Sequence, residues 1–174
     1  MLFTFVVVER EELMRDGLTR LKNRSQFDEA FLLALKKGRH FTLVMVDLDD
    51  FKRINDHFGH DKGDEALKHM AYLLEASVRP RDLVARYGGD EFSLLLYDTD
   101  AEIGKQFEQR VEEKLNTLHE KEKLDYVLAA SVGYVHIPSV RSKSSNEQYW
   151  LGLADDFMYA RKLQKKGLRQ HVDI

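Results

Sequence analysis

A chain of 174 residues, 43% hydrophobic and 33% charged, is long enough for one domain with a substantial core and too short to suggest a second. Its formal net charge of −3 excludes a global electrostatic drive toward nucleic acid or an anionic membrane, so any phosphate binding rests on local basic groups. With no cysteine, disulfides and thiolate metal sites are excluded. This composition suits the cytoplasm, either as a free domain or as the cytoplasmic portion of a larger protein.

Met1 to Val8 is apolar but too short to span a bilayer, and the run Glu9-Arg10-Glu11-Glu12 follows at once. Residues 1–15 are expected to be a linker, with Glu9 to Met14 a short helical piece. Asp16 to Arg24 reads as a polar loop with Leu18 and Leu21 tucked inward. Ser25 is expected to cap a helix in which Phe27, Ala30, Phe31 and Ala34 recur at helical spacing and which Gly38 stops. Phe41 to Val46 is a continuous apolar run, hence a buried central strand, and it runs straight into Asp47-Leu48-Asp49-Asp50. Asp49 or Asp50 is expected to cap the next helix, Phe51 to His57, on which Lys52 and Asn55 share a face.

Phe58 to Asp64 is a glycine-bearing loop entering a helix with Leu67, Met70, Ala71, Leu74 and Val78 inward, and Asp64 reads as a helix-start residue. The loop is not a Walker loop, since Lys62 precedes its second glycine and no Ser or Thr follows. Arg79-Pro80-Arg81-Asp82 forms a turn. Leu83 to Tyr97, two β-prone runs joined by Gly88 and Gly89, predicts a hairpin with Asp90 and Glu91 beside its turn. Ile103, Phe107, Val111, Leu115 and Leu118 mark an amphipathic helix. Tyr126 to Ile137 is a strand interrupted by Gly133, and Ser139 to Asn146 is a polar loop. The last helix, Glu147 to Lys166, buries Leu151, Ala154 and Met158 and ends in Arg161, Lys162, Lys165 and Lys166 before Gly167 and a short terminal strand. The seven histidines are scattered and read as structural or surface residues.

Clustered carboxylates repel and raise one another's pKa unless a cation neutralises them, so the acids after the central strand suggest a hard divalent ion. Taken alone, Asp90 and Glu91 fit a solvated turn as well as a site. Set beside Asp47 and Asp49 they make a second acidic strand end, while Lys52 and the last helix supply basic groups. Carboxylates for Mg²⁺ together with lysines for phosphates are the equipment of nucleotidyl transfer. The element order predicts an α+β fold: a palm-like, ferredoxin-like or nucleotidyl-cyclase-like sheet of about five strands, mostly antiparallel and flanked by helices.

Arg86-Tyr87-Gly88-Gly89-Asp90-Glu91-Phe92 resembles the sequence that names the GGDEF family of diguanylate cyclases. Five further blocks match in order: Asp16 to Arg24, Asp47 to Asp56, Phe58 to Asp64, Ser131 to Gly133 and Ala154 to Tyr159. The resemblance covers roughly residues 10–174, with residues 16–174 as the cyclase unit. It implies an enzyme that joins two GTP molecules into cyclic di-GMP and releases two pyrophosphates, each subunit of a homodimer holding one GTP. It implies that Asp47, the backbone carbonyl of Leu48 and Asp90 coordinate Mg²⁺ or Mn²⁺, with Glu91 assisting at the metal or at the 3′-hydroxyl. Asn55 and Asp64 would read the guanine edge, Lys52 and Lys162 would hold phosphates, and Gly88 and Gly89 would leave room for the nucleotide. Lys166 or Arg169 would be the second phosphate-binding base, because the last helix runs about two residues long for the family before Gly167. Arg79 and Asp82 stand at the family's spacing for a product-inhibition site, which Arg110 would complete. Arg20 stands where a glycine is commoner. The alternatives are a non-catalytic module that binds GTP or cyclic di-GMP, or an unrelated palm-type polymerase or mononucleotide cyclase.

Overall fold

The computed structural model describes residues 14–139 and 147–170, leaving aside the side chains at 166 and 168–170. In chain order the elements are β1 (Lys22–Asn23), α1 (Arg24–Lys36), β2 (Phe41–Leu48), α2 (Phe51–Phe58), α3 (His60–Glu75), β3 (Leu83–Arg86), β4 (Glu91–Tyr97), α4 (Ile103–Lys121), β5 (Ala130–Ile137) and α5 (Glu147–Gln170). One five-stranded sheet has the order β1-β3-β4-β2-β5. Only the short β1–β3 pairing is parallel; β3–β4, β4–β2 and β2–β5 are antiparallel. This is the mostly antiparallel α+β sheet expected from the element order.

β2 is central because all eight of its residues are buried, which suits a strand covered on both faces. Its side chains alternate between two cores. Val44, Val46 and Leu48 join Leu67, Met70, Leu74, Phe107 and Val111 under α3 and α4. Phe41, Leu43 and Met45 join Phe27, Phe31, Ala154 and Met158 under α1 and α5. By the same alternation Asp47 turns toward the α5 side, as does Glu91, its register partner on β4.

Several expectations shift. Asn23, not Ser25, caps α1: its Oδ1 accepts from Gln26 N at 3.1 Å, so Arg24 and Ser25 are already helical. Asp50 holds the N-cap position of α2 with φ 56°, and its carbonyl rather than its side chain takes the first helical amides, Arg53 N and Ile54 N. Phe58 to Asp64 is not a loop. Gly59 alone, at φ 85°, turns the chain from α2 into α3, which leaves Asp64 in the second turn of α3 rather than at its start.

β5 begins at Ala130 rather than Tyr126, because β2 ends at Leu48, the residue that pairs with Ala130. Gly133 does not interrupt β5; a Cβ there would sit 2.3 Å from Ala154 O and from Met158 N, so the glycine is what lets α5 lie close on the sheet. α5 runs through Gly167 to Gln170, so residues 168–170 are helical where a strand was expected. One interior glycine costs a helix only about 1 kcal/mol, too little to end one this long. The expected helical piece at 9–13, the loop at 140–146 and any strand at 171–174 lie outside the described residues. Arg20 adopts φ 63°, the left-handed conformation in which glycine is at ease.

Replacing Gly133 by alanine should lower stability by at least about 1–3 kcal/mol, since both obstructing groups are helix backbone that cannot rotate away. Chemical denaturation measures this, with a lowered midpoint at an unchanged slope as the expected result.

Candidate active site

Two strand ends meet where the sheet's acids are. Asp47 at the end of β2 is opposite Glu91 at the start of β4, and Leu48 N donates to the carbonyl of Asp90 at 3.1 Å. Asp47 is only 8% exposed. Its counter-charge comes from α5, whose Lys162 Nζ donates to Asp47 Oδ1. Burial raises the Asp47 carboxyl above its ordinary value, and the charges of Asp90 and Asp49 add to this, while Lys162 opposes it. Glu91 is raised by burial and by Asp47, Asp155 and Asp90. Burial alone would lower the Lys162 ammonium, but its bond to Asp47 and the surrounding carboxylates raise it.

The four-residue turn between β3 and β4 is tied down from several sides. Tyr87 N and Gly88 N both donate to the carbonyl of Glu91, at 2.8 and 3.2 Å. A Cβ on Gly88 would fall 2.5 Å from Glu91 Oε2, so the glycine accommodates the glutamate's own carboxylate, whereas Gly89 faces open space. Arg86 donates through Nε and Nη2 to the carbonyl of Gly89 at 3.2 and 2.7 Å, and through Nη1 to both oxygens of Asp16 at 3.2 and 3.3 Å. Asp16 also accepts from Thr19 N and Oγ1. Burial alone would raise its carboxyl; the bonds from Thr19 and Arg86 outweigh burial and lower it. Tyr87 packs edge-on against Phe27 of α1 at 5.5 Å, beneath the Arg24 guanidinium at 4.5 Å. The sequence placed Arg86 in a motif and Asp16 in a loop without joining them. Their pairing over 70 positions has no local signal.

The donor set suits a hard cation. The expected donors are oxygens only, the carboxylates of Asp47 and Asp90 and the Leu48 carbonyl with Glu91 alongside; burial is the main cause that raises Asp47 and Glu91, and a divalent ion would relieve the repulsion that adds to it. Mg²⁺ typically takes one or two carboxylates and completes its shell with water and substrate phosphates. Among the described residues no three His, Cys, Asp or Glu side chains group closely enough to hold a metal ion by themselves.

Lys52 is exposed on α2, and Asn55 lies against α3: a Cβ on Gly63 would meet Asn55 Oδ1 at 1.9 Å and Phe51 Cζ at 3.4 Å. Asn55 therefore rests on Gly63, immediately before the exposed Asp64. Lys165, one turn beyond Lys162, donates to the carbonyl of Ala130 at 2.5 Å and stands 3.9 Å from Asp49 Oδ2. It was not among the expected site residues, though its three-residue spacing from Lys162 on a helix was the available signal. The side chains of Lys166 and Arg169 lie outside the described residues.

Away from these acids, Arg79, Asp82 and Arg110 line one small crevice with Ser77, Leu96 and Phe107. Arg79 and Asp82 also border an open groove of about 420 Å³ with Arg15, Lys22 and Arg81. Asp82 spends both oxygens on backbone amides, Arg79 N and Tyr97 N, each at 3.0 Å. Arg110 Nη1 donates to the carbonyl of Ser77 at 2.6 Å.

Residues 13–167 match the family described as "Diguanylate cyclase, GGDEF domain", and the chain belongs to that family. It is 36% identical over 152 residues to the probable diguanylate cyclase DgcC of Escherichia coli (strain K12), covering 85% of this chain and 40% of that protein. Over 134 residues it is 36% identical to the cyclic di-GMP phosphodiesterase NbdA of Pseudomonas aeruginosa, covering 75% of this chain and 17% of that protein. The chain thus spans well under half the length of these relatives. Two crystal structures of DgcB from Caulobacter crescentus in complex with c-di-GMP share its fold. The coiled coil and GGDEF domain has TM-score 0.81 at 24% identity, covering 94% of this chain and 87% of that one. The GGDEF domain alone has TM-score 0.75 at 25% identity, covering 87% and 91%. No helix among the described residues is long and apolar enough to cross a membrane.

Because Asp47 and Glu91 are raised in the folded chain, these two groups bind more protons folded than unfolded. Stability at these groups therefore falls as pH rises through and above the carboxylate range. Replacing Glu91 by Gln removes one repelling charge and should raise the thermal midpoint at pH 7 by a few degrees. The gain should vanish as pH is lowered below the ordinary carboxylate range; a midpoint lowered at pH 7 would contradict it.

Proposed function

We propose that this chain is a diguanylate cyclase, condensing two GTP into cyclic di-GMP with release of two pyrophosphates. The observation that carries this reading is the convergence of Asp47, Asp90 and Glu91 on adjacent strand ends beneath Lys162. In each of two equivalent steps the 3′-hydroxyl oxygen of one GTP attacks the α-phosphorus of the other. The new P–O bond replaces the bond to pyrophosphate, and the hydroxyl proton leaves to a base. A carboxylate raised above its ordinary value, as Glu91 is, suits that proton. Each active site holds one GTP, so catalysis requires a homodimer.

Asp47, the Leu48 carbonyl and Asp90 hold Mg²⁺ or Mn²⁺. When bound, the ion lowers the pKa of the attacking hydroxyl and offsets charge on the leaving pyrophosphate. Lys52, Lys162 and either Lys166 or Arg169 hold the phosphates, and open space at Gly89 admits the nucleotide beside the hairpin tip. Asn55 and Asp64 read the base: a carboxylate acceptor suits the N1 and N2 hydrogens of guanine and repels the acceptor that adenine presents. Residues 16–174 form the cyclase unit.

Arg79, Asp82 and Arg110 form an inhibitory site for cyclic di-GMP. Guanidinium forks suit both phosphates and the Hoogsteen edge of guanine, and the DgcB structures in complex with c-di-GMP support the ligand class. A second reading, a non-catalytic module that binds GTP or cyclic di-GMP, draws support from the match to NbdA, a protein named as a phosphodiesterase. The intact acids at 47, 90 and 91 favour the enzyme.

Incubation with GTP and Mg²⁺ at high protein concentration, followed by product analysis, tests the choice. Cyclic di-GMP is the expected product, and its absence sinks the cyclase reading. Asp90→Ala should cut turnover by at least about a hundredfold with an unaltered circular dichroism spectrum; normal activity would remove Asp90 from the metal site.

Arg79→Ala should raise the cyclic di-GMP concentration for half-inhibition by about tenfold or more, the effect of losing one charge-assisted contact. Unchanged inhibition would return that turn to ordinary surface.

A further inference from the structure

Asp49 has a carboxylate that the proposed chemistry leaves without a task. It lies just past the end of β2 and is only 5% exposed, and its bond to Ser131, the register partner of Asp47 on β5, puts it on the same side as Asp47. Oδ1 accepts from Ser131 Oγ at 2.7 Å, whereas Oδ2 is buried with no hydrogen-bond partner. The cation facing it is Lys165 of α5, at 3.9 Å from Oδ2. That ammonium in turn donates to the carbonyl of Ala130, beside Ser131 on β5. The backbone is fixed as well, since Asp49 N donates to the carbonyl of Ala129 at 2.8 Å.

An ionised carboxylate this deep is costly, and an amide in its place would keep the bond to Ser131 without that cost. Packing does not require the charge. What the charge does is draw Lys165 onto the strand end. Lys162 and Lys165, one helical turn apart, thereby grip Asp47 and Asp49, which share one side of the chain. These two contacts add to the Arg161–Glu108 bond to α4 and the seat of α5 on Gly133 in holding the basic end of the helix in register.

We propose that Asp49 is a positioning residue that acts through Lys165 to hold the basic end of α5 over the acid cluster, and that it is not a ligand of the divalent ion. Its consequence for nucleotide binding rests on the reading of Lys162 as a phosphate-binding group; the mechanical role does not.

The test compares Asp49→Asn, Lys165→Met, the double variant and Lys165→Arg in the full chain. The first arm needs no ligand. Amide hydrogen exchange at residues 159–167 should speed up about tenfold in either single variant and no further in the double, with wild-type protection in Lys165→Arg. The thermal midpoint of Asp49→Asn should be unchanged or raised. In the second arm, the affinity of a non-hydrolysable GTP analogue should fall about fivefold in Asp49→Asn, while that of Mn²⁺ alone stays within about threefold of wild type. Unchanged exchange in Asp49→Asn, or additive effects in the double variant, would overturn the positioning role. A loss of Mn²⁺ affinity beyond about thirtyfold would make Asp49 a metal ligand and overturn it equally. If the wild-type chain fails to bind the GTP analogue, the cyclase reading falls and the exchange arm still decides the role of Asp49.

Discussion

The burial of Asp47 is the constraint on which the rest of this structure depends. A carboxylate with so little contact with water, at the end of a strand packed on both faces, needs a cation. Alternation along β2 turns it toward α5 rather than toward α3 and α4, and the same alternation turns Glu91 to that side. Lys162 is the group that arrives. It arrives because α5 lies on the sheet with its backbone at Ala154 and Met158 against Gly133, about 6–12 Å back along the helix. A side chain in place of that glycine would lift the helix and withdraw the ammonium. Gly133, Lys162 and Asp47 are therefore one device, although they sit on three elements.

The hairpin tip is held with comparable redundancy. Its two glycines would leave a flexible turn in isolation. Arg86 removes that freedom by bonding the Gly89 carbonyl across the turn and the Asp16 carboxylate outside it, while Tyr87 is packed against Phe27 and beneath Arg24. The turn preceding β1 and the first turns of α1 thus both hold the loop that carries Asp90.

The central strand, the hairpin and the helix α4 were legible because each rests on local pattern: a largely apolar run at 41–46, paired glycines at 88 and 89, apolar residues at helical spacing in α4. The acids were legible because they stand together in sequence. What the sequence obscured depends on distant partners or on a side chain that is missing. Gly133 looked like a break in a strand, since the helix that needs its bare Cα begins fourteen residues later. Gly59 looked like part of a loop because one residue at positive φ does the work of several. Asp49 read as one of the clustered acids or as a helix cap, and nothing local signals its bond to Ser131 or the approach of Lys165. Lys165 itself was one of four basic residues in a short run, and helical phase decides which of them face the sheet.

The hairpin also bears on how a ligand at Arg79 and Asp82 would reach the acids. Asp82 enters β3, and its carboxylate takes the amide of Tyr97, the last residue of β4. It is thus fixed to both strands at the end opposite Asp90. Between those ends lie the seven residues of β4, roughly 20 Å of strand. β4 is hydrogen-bonded on both sides, to β3 and to β2, and five of its seven residues are buried. A strand so placed cannot slide by itself, because a shift of one residue would turn every side chain to the wrong face. A ligand gripping Arg79 would therefore not act by deforming the hairpin locally.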